Sequence, residues 1–379
     1  PQEDESVSAH ASSYRALIAA GGTGGHVYPA LAVAAHLVEL GWSVDWVGTE
    51  QGIEHRLVPA SGLPLHCLTM SGFRGKGLIK RIMSLLHLVL AVVESCSLIR
   101  RLKPDVVLGM GGYAAAPAGL AAFLTRRPLV IHEQNAVAGT TNRWLSPIAV
   151  RVLCGLPGPF AEARMAKVVG NPVRNVFRRA DRHELQSLAR FSGARPMRIL
   201  VLGGSLGSAP LNELLPATTA CLVSKGYGDT ISVWHQCGER NRSSAELAWK
   251  KQPLGNLRLD TYIDDMAMAY GWADVVVSRA GALTVSELAQ TGTAAILIPL
   301  PHAIDDHQTA NARVLEALGA AVLLPQVDAT PEAVSDLLER WMLSPTTLSD
   351  MAMALESAVQ SDGTACVSAI LMEVAHANA

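Results

Sequence analysis

The sequence predicts an α/β protein with two Rossmann-like domains, each a parallel sheet covered by helices, facing one another across a cleft. Three observations point there. Short, continuously apolar runs alternate with helical stretches along the chain, as expected for parallel strands buried on both faces. The pattern restarts near Arg198. Each half opens with a strand that runs into a glycine turn, GGTGGH at Gly21–His26 and GGSLG at Gly203–Gly207. Such turns lie at the carboxyl edge of an open sheet, where ligands bind.

In chain order, Arg15–Ala20 is the first strand. Pro29 then opens a helix that Gly41 closes, since proline suits a first helical turn and glycine a C-terminal cap. Strands follow at Val44–Val47, Val106–Leu108, Leu129–Ile131, Val152–Cys154 and Val168–Val169. Ile82–Ile99 is strongly apolar but holds His87, Glu94 and several serines. A core helix is expected there, because a membrane span needs about 20 nearly uncharged residues. The charged stretch Asn175–Arg195 connects the halves, and strands resume at Arg198–Leu202, Ile231–Trp234, Val275–Ser278 and Ala295–Ile298. The expected division is a disordered polar tail at 1–13, a first domain at 14–174, a second at 175–345, and terminal helices at 346–379 that pack back on the first domain.

Bulk composition narrows the function. With 379 residues, 49% of them hydrophobic, the chain can build two cores. A net charge of −2 argues against a nucleic-acid binder. The six cysteines show no zinc or redox spacing, which reads as reduced thiols in a cytosolic protein. Asp264-Asp265 and Asp305-Asp306 are adjacent pairs without Asp-x-Asp spacing, so no metal site is expected.

The chemistry-bearing segments cluster at strand ends. Four glycines within Gly21–Gly25 let the backbone turn tightly beside a ligand, and the following helix aims its first amides at the turn. His26 sits on that turn, with an ordinary pKa near neutrality. It can serve as a general base or as a diphosphate ligand. Gly109–Tyr113 and His132–Asn135 are further polar loop tips at the same edge, and three together favour a binding site over three unrelated turns. Arg174 suits phosphate oxygens. In Ser278–Glu287 a strand ends, a small-residue turn follows, and a helix begins near Leu283; its first amides and Thr284 can hold a diphosphate. Glu287 has two readings, a ribose-diol acceptor or a carboxylate complementing the helix N-terminus. Gln308 and Asn311 share a helix face and suit sugar hydroxyls, with aspartate as the cap of that helix. Phe73, Arg74, Lys76, Leu78, Ile79, Lys80 and Arg81 mix basic and apolar character, which fits an anionic bilayer or a solvated loop and helix start.

Taken in order, GGTGGHVYPALAVA, MGGYAAAPAG, IHEQNAVAGTTNRWL, GNPVR, GGSLG with Asn212 downstream, YIDDMAMAYGWADVVVSRAGALTVSELA and DDHQTANA resemble the MurG family of peptidoglycan glycosyltransferases, from Leu17 to Ala320. The resemblance implies a GT-B fold. It also implies inverting, metal-independent transfer of N-acetylglucosamine from UDP-GlcNAc, a substrate and not a cofactor, to the C4 hydroxyl of undecaprenyl-diphosphoryl-N-acetylmuramoyl-pentapeptide. His26 matches the candidate base. Gly22, Tyr113, His132, Glu133 and Asn142 fall on the acceptor side. Thr23, Gly24, Gly25, Asn135, Arg174, Ser205, Ala282, Leu283 and Thr284 fall on the donor side, with Ile263 for uracil, Glu287 for ribose and Gln308 for a sugar hydroxyl. Implied partners are the lipid-linked acceptor, an anionic membrane surface and other cell-wall synthesis proteins. The implied location is peripheral, on the cytoplasmic face of the bacterial inner membrane. Two positions depart from the family pattern: Leu206 stands for the usual Gln of the second glycine turn, and His307 stands where some members carry a second Gln. Competing readings are another GT-B enzyme, such as a glycolipid glycosyltransferase or a UDP-sugar 2-epimerase, a nicotinamide oxidoreductase, and an inactive nucleotide-sugar binding module.

Overall fold

The computed structural model describes residues 14–69, 78–160, 166–173, 191–204, 206–358 and 362–378. The tail at 1–13 and most of the connection at 175–195 lie outside these residues.

The first domain runs β1 (Arg15–Ala19), α1 (Gly24–Glu39), β2 (Ser43–Gly48), α2 (Glu54–Ala60), β3 (Leu65–Cys67), α3 (Leu78–Leu102), β4 (Val106–Gly109), α4 (Ala115–Leu124), β5 (Leu129–Glu133), α5 (Thr140–Leu145), β6 (Arg151–Cys154) and β7 (Ala166–Val168). Its seven strands are parallel, in the order β3-β2-β1-β4-β5-β6-β7. The second domain runs β8 (Met197–Leu202), α6 (Ala209–Ser224), β9 (Ile231–Gln236), α7 (Arg242–Lys251), β10 (Leu257–Asp260), α8 (Met266–Trp272), β11 (Val275–Ser278), α9 (Ala282–Thr291), β12 (Ala294–Leu297), α10 (His307–Glu316), β13 (Ala321–Leu323), α11 (Pro331–Leu343) and α12 (Thr346–Ala358), and α13 (Gly363–His376) ends the described chain. Its six strands are also parallel, in the order β10-β9-β8-β11-β12-β13. The sheets reverse direction of growth between β1 and β4 and between β8 and β11. Crevices at such reversals are where open α/β sheets take ligands.

Strand alternation divides each core in two. Ala16 and Ile18 pack toward α1 and α13, whereas Leu17 and Ala19 pack toward α3 and α4. Leu200 and Leu202 face α8, α9 and α10, whereas Ile199 and Val201 face α6, α7 and α11. Both faces of both sheets are therefore covered, which is why the strands read as unbroken apolar runs.

Several sequence expectations are corrected. α1 begins at Gly24, not Pro29, so Pro29 lies inside the helix and His26 is in its first turn. The edge strands β3, β10 and β13 had no clear sequence signal, being only three or four residues long. α3 is only half a core helix. Ala91, Ser95, Leu98 and Ile99 are buried, while Leu85, Leu86, Val89, Leu90 and Val93 are exposed. Among the described residues no helix is long and apolar enough to cross a membrane. Of the two terminal helices, α13 packs on the first domain through Val367, Leu371 and Val374 and a 3.0 Å hydrogen bond between Ser368 and His36. α12 packs on the second domain through Leu348 and Met351, and its Leu355 joins a cluster that also holds Leu156 and Val173 of the first domain.

Candidate active site

The glycine turn after β1 is held from below by a carboxylate. Glu54 is fully buried and accepts hydrogen bonds from the Gly22 amide (3.0 Å), the Thr49 amide (3.0 Å) and the Thr49 hydroxyl (2.8 Å). Gly22 therefore spends its N–H inside the protein. The backbone of the MGGY loop lies against this turn. A Cβ at Gly112 would run into the Gly21 carbonyl, and one at Gly111 would touch the His26 ring. Both glycines have positive φ, a conformation that costs glycine nothing.

His26 is half-buried, and its Nδ1 lies 3.3 Å from the Thr23 hydroxyl. Burial lowers its pKa below the ordinary histidine value. Glu133, a hydrogen bond with the Gly21 backbone and Glu54 oppose the shift, and His307 from the second domain adds to it. The imidazole is thus neutral at pH 7 and able to accept a proton.

His132, Glu133 and Asn142, which the resemblance places along the acceptor side of the cleft, are buried. Glu133 accepts from the Asn135 amide (3.1 Å) and side chain (3.2 Å), the Gly139 amide (2.9 Å) and Asn142 Nδ2 (2.9 Å). A buried carboxylate needs such donors, and here they fix the loop that carries Asn135. His132 donates from Nε2 to the Gly170 carbonyl (3.1 Å), and burial lowers its pKa to about 4. Tyr113 is exposed.

The two domains meet through paired amides. Asn311, fully buried on α10, accepts from the Ala136 amide (2.8 Å) and donates to Asn135 Oδ1 and the Ala280 carbonyl (3.1 Å each). Asn171 donates to the Gln134 carbonyl and the Ser286 hydroxyl, both at 2.9 Å. Between the domains lies a cavity of about 340 Å³. Thr23, Gly24, Gly25 and Tyr28 line one wall, and Ile263, Tyr270, Gly281, Leu283, Thr284, Glu287 and Gln308 line the other.

Gly281 is the N-cap of α9, and no side chain caps this helix. Its first amides point into the cavity wall at Leu283 and Thr284, so the positive end of the helix meets whatever enters. Glu287 is buried one turn further on and accepts from the Tyr270 hydroxyl at 3.1 Å. The Gln308 side-chain oxygen accepts from the Leu300 amide at 2.8 Å. Asp306 does not cap α10 through the backbone as expected. It has positive φ and accepts instead from the Thr309 hydroxyl at 2.7 Å.

Both motif pairs therefore converge on one crevice between the domains. The comparisons with known proteins agree with that geometry. Residues 16–154 match the glycosyltransferase family 28 N-terminal domain, and residues 198–364 match its C-terminal domain. Two curated relatives share the name UDP-N-acetylglucosamine--N-acetylmuramyl-(pentapeptide) pyrophosphoryl-undecaprenol N-acetylglucosamine transferase. The protein from Stutzerimonas stutzeri is 47% identical over 95% of this chain and 98% of its own length. That from Tolumonas auensis is 43% identical over 92% and 96%.

The chain belongs to glycosyltransferase family 28, in its MurG group.

Crystalline MurG from Acinetobacter baumannii is 36% identical and superposes with a TM-score of 0.78 over 95% of this chain and 99% of that one. The kitacinnamycin glycotransferase, 17% identical with a TM-score of 0.69 over 96% and 99%, shares the fold alone. The family 28 architecture is the GT-B arrangement of two parallel-sheet domains. Arg174, Ser205, Phe73, Arg74 and Lys76 lie outside the described residues, and no side-chain position is described for Leu78, Ile79, Lys80 or Arg81. Sequence reasoning missed Glu54, Tyr270, Asn171 and the bridging role of Asn311 in this MurG-group site. Nothing local marks Glu54 or Tyr270, whose partners are distant in sequence. A larger, more open concavity of about 830 Å³ lies between α1 and β2, lined by Arg15, Leu31, Asp45 and Leu63. It holds none of the strand-end motifs, so the smaller cavity is the candidate site.

Proposed function

We propose that this chain is an inverting, metal-independent transferase. It moves N-acetylglucosamine from UDP-GlcNAc to the C4 hydroxyl of undecaprenyl-diphosphoryl-N-acetylmuramoyl-pentapeptide. The names of its relatives support the substrates. The observation that carries the chemistry is the cavity that sets the first turns of α1 and α9 on opposite walls. His26 takes the proton of the C4 hydroxyl as the oxygen attacks the anomeric carbon. The bond from that carbon to the UDP oxygen breaks on the far side, and UDP leaves with the electron pair. The α9 amides meet the growing charge on the diphosphate, where a preorganised dipole is most effective. Glu287 accepts from the ribose, the Ile263 backbone reads uracil, and Gln308 meets a sugar hydroxyl. The test is incubation with the lipid-linked acceptor and a panel of UDP-hexosamines, with and without chelator. Mass analysis should show addition of one N-acetylhexosamine, from UDP-GlcNAc alone and unaffected by chelation. Conversion of UDP-sugar without acceptor would instead favour the epimerase reading.

The acceptor's lipid tail calls for a membrane surface, and we place it on the outer face of α3 and α4. Leu85, Leu86, Val89, Leu90 and Val93 form a stripe on α3, and Phe123 and Leu124 on α4 are exposed as well, with Arg126 exposed just beyond them. An exposed apolar patch beside basic groups suits an anionic interface. In this reading the protein is peripheral, on the cytoplasmic face of the inner membrane. Replacing Leu86, Val89 and Val93 together by Ser should abolish co-sedimentation with phosphatidylglycerol vesicles and leave UDP binding intact. Unaltered sedimentation would remove this face from the role.

A further inference from the structure

Arg279 is 7% exposed and lies just before the α9 turn. Every hydrogen bond its side chain makes to the described residues goes to a neutral acceptor. Nε donates to the Ser208 hydroxyl (3.1 Å), Nη1 to the Ile298 and Pro299 carbonyls (3.1 Å each), and Nη2 to Gln326 Oε1 (2.7 Å). No carboxylate among the described residues lies within ion-pair distance of it. Burial alone lowers its pKa, with no charged neighbour contributing. Arginine does not give up its proton in a protein, so a full positive charge is held here without a counter-charge among the described residues. The same domain neutralises another arginine conventionally, since Arg195 pairs with the buried Asp274 at 2.6 and 2.7 Å.

An unpaired buried charge is expensive, and its position suggests what offsets it. Ser208, which holds Nε, is the N-cap of α6 directly after the second glycine turn. Gly281, two residues beyond Arg279, is the N-cap of α9. The Arg279 backbone amide itself bonds to the Leu202 carbonyl (3.4 Å) at the end of β8. The guanidinium is thus bonded to the N-cap of α6, and its own backbone leads into the N-cap of α9; both helices present positive ends. Leu202, Gly204 and Gly281 line the cavity above, and Arg279 does not.

We propose that Arg279 is a fixed counter-charge for the diphosphate of the nucleotide donor, acting from outside the cavity lining without touching the ligand. The inference rests on the donor reading above and adds a residue to it. The field of a buried cation is weakly screened, and it strengthens the hold on the diphosphate as its negative charge grows during departure of UDP. Arg279 is a positioning charge, since the α9 amides make the contact.

The decisive variant is Gln326→Glu, which sets a carboxylate of nearly the same shape on Nη2 and neutralises the arginine where it stands. Calorimetric titration with UDP and with uridine reads the result. UDP affinity should fall roughly tenfold to a hundredfold, uridine affinity should stay within about twofold, and the ligand-free protein should melt no lower than wild type. Arg279→Gln should show the same loss for UDP alone, and Arg279→Lys should recover most of it. Unchanged UDP affinity in Gln326→Glu would overturn the proposal, as would parallel losses of UDP and uridine, which mean a structural role. If the wild type itself binds UDP no better than uridine, the donor reading fails as well, an outcome the wild-type arm separates from the others.

Discussion

Replacing His26 by Ala lowers kcat by roughly 10²–10⁴-fold, the contribution of a general base, with UDP affinity little changed. The pH profile carries the sharper signature. His26 has a pKa depressed below the ordinary value of 6.5, chiefly by burial. The active form of a base is the neutral one. Wild-type turnover should therefore be flat above the depressed pKa and fall as pH drops through it, and this acidic limb should vanish in the Ala variant. A histidine that held the acceptor's diphosphate as a cation would give the opposite profile. Its activity would rise as pH falls, and its loss would raise the acceptor KM more than it lowers kcat. His307 faces His26 from the second domain and adds to the depression, so His307→Gln should move the limb to higher pH. Near-normal turnover in the His26→Ala enzyme would end the base assignment.

Glu287→Ala weakens UDP-GlcNAc binding by roughly 10²–10⁴-fold. Hydrogen bonds to a charged group contribute about 1.5–3 kcal/mol each. A ribose diol supplies two, and each 1.4 kcal/mol is about tenfold in affinity. Tyr270 donates to this carboxylate at 3.1 Å and holds it in place, so Tyr270→Phe should lose affinity too, by a smaller factor. Because the Ala variant also removes the hydrogen bond from the Tyr270 hydroxyl, its thermal stability should drop. The affinity should therefore be measured well below the melting temperature. If the donor dissociation constant is unchanged, Glu287 serves only to complement the α9 dipole, the other reading its position allows.

Much of the site was legible because its elements are local. GGTGGH, MGGY, GGSLG and RAGAL each follow an apolar run and precede a helix. Backbone freedom and helix ends are properties of a few consecutive residues. The missed start of α1 is an instructive error. Pro29 looked like the first helical residue, yet the helix starts at Gly24. The error placed His26 on a loop when it belongs to the first helical turn. The burial of three acceptor-side residues escaped the sequence for a different reason. His132, Glu133 and Asn142 sit at a strand end and on the short helix after it, but polarity in sequence does not reveal whether a side chain faces outward or gathers amides beneath the surface. Glu133 gathers them.

The sequence by itself determined the alternation of strands and helices, the two-domain plan and the glycine turns, since apolar periodicity and φ preference act over neighbouring residues. Only the tertiary structure decided which polar groups meet. Asn311 binds a backbone amide 175 positions away, and Arg279 reaches Ser208 across 71. Hydrogen-bond partners at such separations depend on how two sheets and their helices pack. Packing also decides that Glu54 is enclosed with its donors while Arg279 is enclosed without a counter-charge among the described residues. A buried charge takes its meaning from what surrounds it in space.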